Sequence, residues 1–278
     1  MMGNQLRLQS LKPLIGTHDI VLITLDTLRY DVAQLAMQRG LTPTIGSRIP
    51  NGTWEQRHSP ASFTYAAHHA FFAGFLPTPA KPGKHPRLFA SQFYGSETTT
   101  EETFQFEEPT VVEALRSRDY YSICIGGVGF FNKQTALGSV LPNLFDESHW
   151  SPELTVTNRD STEKQVALAI ARISTIPTTR SILLFVNISA LHQPNCMYLD
   201  GAIHDSIESQ IAALSYVDRC LQPLWLYLER RSPGVCLLFS DHGTAYGEDG
   251  YIGHRIGHST VWDVPYAQFV YPATEATS

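Results

Sequence analysis

Five stretches of the chain are nearly continuous in Ile, Val, Leu and Phe: residues 19–25, 120–125, 181–189, 234–240 and 266–271. Unbroken apolar runs of this length predict strands covered on both faces, the habit of parallel sheets. Helical patterns lie between them. Residues 109–118 and 161–173 predict short helices. Across 203–230, Ile207, Ile211, Leu214, Val217 and Leu221 recur at steps of four and three, which predicts a long amphipathic helix. Pro223 has no amide hydrogen to donate and is expected to kink or break that helix. Strands alternating with helices predict an α/β fold, with a largely parallel central sheet and helices on both faces. Residues 78–108, rich in Pro, Gly, Ser, Thr and Glu, interrupt the alternation and read as a loop excursion. The expected organisation is an N-terminal extension over residues 1–18 and a single domain over 19–278.

Composition narrows this picture. Of 278 residues, 43% are hydrophobic and 11% aromatic, enough to fill a sizeable core and to exclude a disordered chain. Twenty basic against 26 acidic side chains leave a net charge of −6, which argues against nucleic acid or an anionic membrane as partner. Cys124, Cys196, Cys220 and Cys236 lack CxxC spacing and are expected to be free thiols in a reducing compartment. Residues 1–18 lack the layout of a signal peptide, and no apolar run is long enough to span a bilayer. The expected setting is therefore cytoplasmic. The pattern does not specify an oligomeric state.

In open α/β sheets, ligands gather beyond the carboxyl ends of the strands, so the polar residues after each apolar run carry the chemical signal. The first run ends in Asp26, the fourth in Asp241-His242-Gly243, and the third is followed by His192-Gln193-Pro194. A strand-end Asp can equally cap the next helix, and Asp31 reads as structural in that way. Residues 241–258 gather three His, two Asp and one Glu in a Gly-rich stretch. Carboxylates combined with imidazoles suit Zn²⁺ or Mn²⁺, with Mg²⁺ or Ca²⁺ as weaker fits. A solvated polar loop is the alternative, and it suits Glu248 and Asp249 better than the histidines.

These residues stand in an order that resembles the alkaline-phosphatase/sulfatase superfamily over nearly the whole chain. Asp26-Thr27-Leu28-Arg29-Tyr30-Asp31 after a strand is similar to the family's first metal motif, and Asp241-His242-Gly243 to its second. Residues 59–77, ending in Gly74 and Pro77, resemble the nucleophile segment, and Val264-Pro265 the closing motif before the last strand. Weaker echoes are the helix and strand over 110–126 and the turn Asn143-Leu144-Phe145-Asp146. The resemblance implies an alkaline-phosphatase-like core in a small, bacterial type of sulfatase-like metallohydrolase. Counting back from Gly74, it places Thr64 at the nucleophile. The Cys-x-Pro-Ser-Arg motif that sulfatases convert to formylglycine is absent, and a Thr nucleophile is instead similar to nucleotide phosphodiesterases and lipid A phosphoethanolamine transferases.

The expected metal ligands are Asp26, Asp241 and His242, with the Thr64 hydroxyl as a fourth. A helix beginning at Thr64 would turn its first amides toward substrate oxygens. His68, one turn later, is a candidate substrate contact or a packed residue, and His69 is expected to be structural. His192, His254 and His258 are expected to contact substrate or leaving group. Asp200 and His204 have the Asp-x-x-x-His spacing of a second metal site in related enzymes, or simply open the long helix. The function expected first is hydrolysis of phosphate, phosphodiester or phosphonate esters, with sulfate esters behind them, through a covalent Thr64 intermediate on a small-molecule substrate. The alternatives are a phosphoryl-type transferase or mutase on the same fold, and a non-catalytic metal-binding relative.

Overall fold

The structure, a computed structural model, describes residues 10–74 and 109–274. The excursion expected at 78–108 lies outside the described residues, as do residues 1–9 and 275–278. In chain order the elements are β1 (Asp19–Leu25), α1 (Tyr30–Gln38), α2 (Pro43–Gly46), β2 (Glu55–His58), α3 (Thr64–Ala73) and α4 (Val111–Arg116). They continue with β3 (Tyr121–Ile125), α5 (Ala136–Val140), β4 (Glu147–His149), α6 (Ser161–Ile173), β5 (Ile182–Ile188) and α7 (Ile207–Arg231). The last are β6 (Gly234–Phe239), β7 (Ala245–Tyr246), β8 (Ile252–Gly253), α8 (Ser259–Trp262) and β9 (Asp263–Tyr271).

Seven strands form one sheet in the order β2-β9-β6-β1-β5-β3-β4, while β7 and β8 pair as a separate ribbon. The block from β6 to β4 is parallel, and β9 and β2 close one side antiparallel. The sheet is thus α/β and largely parallel, with an antiparallel edge of the kind mixed sheets often carry. Alternation along β1 separates its two faces. Val21, Ile23 and Leu25 pack in one core with α1, α6 and α7, while Ile20 packs in a second with Phe72 of α3 and Val112 and Leu115 of α4. Fully burying each such Val, Leu, Ile or Phe side chain contributes about 1.5–3 kcal/mol.

The long helix departs from expectation at both of the points the sequence raised. It begins at Ile207, where Ser206 and Ser209 form a reciprocal capping box, and not at Ile203. It also runs unbroken through Pro223 for 25 residues. Pro223 is exposed, and so is Arg219, whose carbonyl loses its helical donor; water can take that role, which keeps the cost low.

The lower end of the sheet is tied by one buried ion pair. Arg231 Nε donates to Asp19 Oδ2 at 3.0 Å, and its other nitrogens donate to the carbonyls of Ile176, Pro177 and Arg180. Asp19 Oδ1 accepts the Ile182 amide at 2.9 Å, so the network joins β1, β5, α7 and the turn before β5. Replacing Arg231 with Leu strands the Asp19 carboxylate and three carbonyls together. The expected loss in a chemical-denaturation measurement is about 3–5 kcal/mol; a loss below about 1 kcal/mol would show that the network closes without it.

Candidate metal centre and active site

Sheet order decides which residues meet. β6, β1 and β5 are adjacent and parallel, so the residues after them emerge side by side. Asp26 follows β1 directly, Asp241 and His242 follow β6, and His192 follows β5. Asp26, Asp241 and His242 each offer a ligand atom within 4.8 Å of the others, and all three are buried. His242 Nε2 lies 3.5 Å from Asp241 Oδ2 and 3.9 Å from Asp26 Oδ1. Gly243 allows this turn: a Cβ there would meet the Thr260 carbonyl oxygen at 2.0 Å.

Each ligand is aimed by a second contact. Asn187 Nδ2 donates to Asp26 Oδ2 at 3.1 Å, and the Thr27 amide donates to Asp241 Oδ1 at 3.2 Å. His242 donates its Nδ1 hydrogen to the Gly243 carbonyl at 2.9 Å, which leaves the Nε2 lone pair facing the carboxylates. The remaining oxygens, Asp26 Oδ1 and Asp241 Oδ2, are buried with no hydrogen-bond partner. Burial, with the Asp241 carboxylate beside it, pushes Asp26 up to about 6. Burial likewise pushes Asp241 up to about 7 against the bonds from the backbone amides, and depresses His242. Two orphaned, unwillingly ionised oxygens and one imidazole lone pair suit a divalent cation, whose charge reverses the penalty on both carboxylates. These residues fit a metal, and the N/O donor set fits Zn²⁺ or Mn²⁺.

Thr64 stands at the edge of this cluster. Its Oγ1 lies 3.3 Å from His242 Nε2, and it is the first residue of α3. Phe63, at the N-cap, provides no side-chain cap, so the first amides of α3 have no side-chain acceptor. The helix ends at Gly74 in the left-handed region, φ 80°. Thr64 also lines a cavity of about 450 Å³, together with His192, His254 and Arg255. The His254 ring lies tilted against His242, centroids 4.6 Å apart, and meets His192 edge-on at 5.4 Å. Burial, reinforced by the neighbouring His242, His192 and Arg255, lowers His254 to about 3, so it is neutral at physiological pH. His192 donates Nδ1–H to the Gln193 carbonyl at 2.6 Å, which leaves Nε2 free of that bond.

Four expected site residues are placed elsewhere. His258 caps α8, accepting the Thr260 amide on Nδ1, and its Nε2 meets Asp249 at 3.1 Å. Both nitrogens are used within its own loop and the ring does not line the cavity, so a capping role replaces the expected substrate contact. His68 is wholly buried beneath the cluster, its Nδ1 against the Thr64 carbonyl at 2.7 Å and its Nε2 against Thr24 Oγ1 at 3.1 Å. Burial lowers it to about 3; its Nδ1 lies 3.6 Å from Asp241 Oδ2, and it supports the start of α3 without lining the cavity. Asp200 and His204 are exposed in the turn before α7, and among the described residues no third ligand joins them. His69, as expected, packs in the interior, in ring contact with Tyr65. The sequence reading missed Asn187, although a polar residue inside the apolar run of β5 was a visible signal, and it missed Arg255 in the histidine-rich loop.

Comparison with known proteins places this geometry. A family model for sulfatases matches residues 18–267. The soluble domain of lipooligosaccharide phosphoethanolamine transferase A from Neisseria meningitidis superposes with a TM-score of 0.64 at 15% identity, over 92% of this chain and 77% of that one. The zinc complex of the C-terminal periplasmic domain of EcEptC from Escherichia coli gives 0.61 at 12% identity, over 92% and 73%. A protein of the alkaline phosphatase superfamily from Vibrio parahaemolyticus gives 0.57 at 12% identity, over 94% and 62%. No curated protein sequence matches significantly. No described helix is long and apolar enough to cross a membrane. With the family model spanning most of the chain, and a sheet and strand-end cluster of the alkaline-phosphatase kind, the protein belongs to the sulfatase family within the alkaline-phosphatase/sulfatase superfamily.

Proposed function

We propose that the protein is a metal-dependent enzyme that transfers a phosphoryl-type group from an ester to an acceptor alcohol through Thr64, with water as the simplest acceptor. Transfer, second to hydrolysis in the sequence reading, moves to the front because the neighbours include phosphoethanolamine transferases. The observation that carries the reading is the position of Thr64 Oγ1, 3.3 Å from His242 Nε2 beside two buried carboxylates and open to the cavity.

Asp26, Asp241 and His242 would hold the metal, and the zinc complex of EcEptC supports zinc as one choice. When bound, the cation supplies charge that favours the Thr64 alkoxide over the alcohol. The chain's own residues do the rest. Thr64 Oγ forms a bond to phosphorus while the bond to the leaving alkoxide breaks, and the hydroxyl proton balances the proton taken up by the leaving oxygen. The uncapped first amides of α3 hold the non-bridging oxygens. His192 Nε2 is placed at the cavity wall to move a proton at the leaving or incoming oxygen. The acceptor then attacks the Thr64 ester and restores the hydroxyl.

Thr64 in place of the sulfatase Cys favours phosphorus over sulfur. Four unpaired cysteines support the cytoplasmic setting, although EcEptC supplies its match from a periplasmic domain. A panel of aryl phosphate, phosphodiester, phosphonate and sulfate esters, with and without glycerol, tests the reading. Phosphorus esters are expected to have the higher kcat/KM, with phosphorylated glycerol among the products. A higher kcat/KM for the sulfate ester, or release of water-derived product alone at saturating alcohol, would overturn it in its present form.

A further inference from the structure

The cavity beside Thr64 is larger and greasier than a phosphoryl group requires. Its volume is about 450 Å³, within the range of pockets that enclose whole small molecules. Its apolar lining includes Val128, Phe130, Leu137 and Val156, all partly exposed. Among the described residues that line it there is no carboxylate. Water against such a wall is readily displaced by carbon, whereas an ammonium group would lose hydration there without gaining a counter-charge.

The rim carries the opposite signal. Arg255 lines the cavity and is held in the left-handed region, φ 69°, which a non-glycine residue rarely adopts. Its amide is fixed by the Ser62 carbonyl at 2.9 Å, and its guanidinium lies 5.6 Å from the centroid of Phe63. Ser62 and Phe63 immediately precede Thr64, so these two contacts tie one cation to the segment that leads into the reacting hydroxyl. Arg255 makes no salt bridge among the described residues, so its guanidinium is available to an anion.

We propose that this cavity selects esters whose organic group is apolar and uncharged, seated against Val128, Phe130, Leu137 and Val156, with Arg255 gripping the anionic end. The assignment rests on the transfer site proposed at Thr64, and it separates this chain's substrate from an ester carrying an aminoethyl cation.

Calorimetric titration of the purified protein, supplied with zinc chloride, with phenylphosphonate and with 2-aminoethylphosphonate tests it without requiring turnover. The phenyl ligand is expected to bind about tenfold or more tightly, as burial of an aromatic ring implies. Leu137→Glu, at a partly exposed position, is expected to bring the two affinities together, with Val156→Glu as the second variant should the first fail to fold. Arg255→Met should weaken both ligands by a similar factor and leave their ratio unchanged. Equal binding of the two, tighter binding of the aminoethyl ligand, or binding of neither overturns the proposal. Preference for the phenyl ligand in a protein that turns over no ester would leave the pocket assignment standing and remove the chemistry instead.

Discussion

Replacing Thr64 with Ala is expected to cost turnover by a factor on the order of 10² or more, as removal of a positioned nucleophile does. The loss should fall on kcat, since Asp26, Asp241 and His242 remain in place to hold the metal. Thr64→Ser keeps the hydroxyl at the first position of α3 and should retain measurable activity. Thr64 is buried, so the lost methyl leaves a small void at the helix start and a modest stability cost. Ser62 is the rival hydroxyl, two residues upstream, and among the described residues no hydrogen bond ties its side chain to the cluster, while the Ser59 hydroxyl is occupied by the carbonyls of Ala61 and Asp241. Ser62→Ala should therefore be mild. Mass spectrometry of an acid-quenched reaction decides between them. A mass increment on Ser62 with Thr64 unmodified would reverse the assignment, and full activity in Thr64→Ala would remove the covalent mechanism altogether.

The parts of the fold visible in the sequence are those where burial on both faces left one reading. β1, β5 and β6 lie at the middle of the sheet, and their apolar runs match the observed strands closely. β2, with the sequence Glu-Gln-Arg-His, and β4, with Glu-Ser-His, are short and polar. They are strands only because a neighbouring strand offers its backbone, a tertiary cause with no local pattern. The site divides in the same way. Asp26 and the Asp241-His242 pair were legible because each directly follows a buried strand and also falls on a metal motif of the family that the chain resembles. The histidines were not separable by letter: His254 lines the cavity, His258 caps a helix and His68 is sealed under the cluster. Which nitrogen meets which atom is set by loop geometry over distances no sequence spacing encodes.

Asp241→Asn is expected to abolish stoichiometric metal binding while leaving a cooperatively folding protein, and removing the metal should have a pH-dependent effect of definite sign. Wild type is expected to carry Zn²⁺ or Mn²⁺ ahead of Ca²⁺, because the imidazole of His242 favours transition metals. Loss of a direct ligand should weaken binding by about 100-fold or more, since even outer contacts to metal ligands are worth 10–100-fold. In the metal-free protein, burial holds Asp26 at about 6 and Asp241 at about 7, both above the usual carboxylate value. The folded state then binds more protons than the unfolded state between about pH 4 and pH 7, so metal-free stability falls as pH rises through that window. Metal binding needs both carboxylates ionised, so its contribution grows as the metal-free protein weakens, reaching about 4 kcal/mol at a thousandfold excess over Kd. Chelation should accordingly lower Tm strongly at pH 8 and little at pH 5. Asparagine removes one of the two buried charges, so metal-free Asp241→Asn should be more stable at pH 8 than metal-free wild type and show no Tm shift with zinc. Elemental analysis with thermal melts at the two pH values reads all of this. Undiminished metal in Asp241→Asn, or a chelation effect larger at pH 5 than at pH 8, would show that these carboxylates are not the ligands.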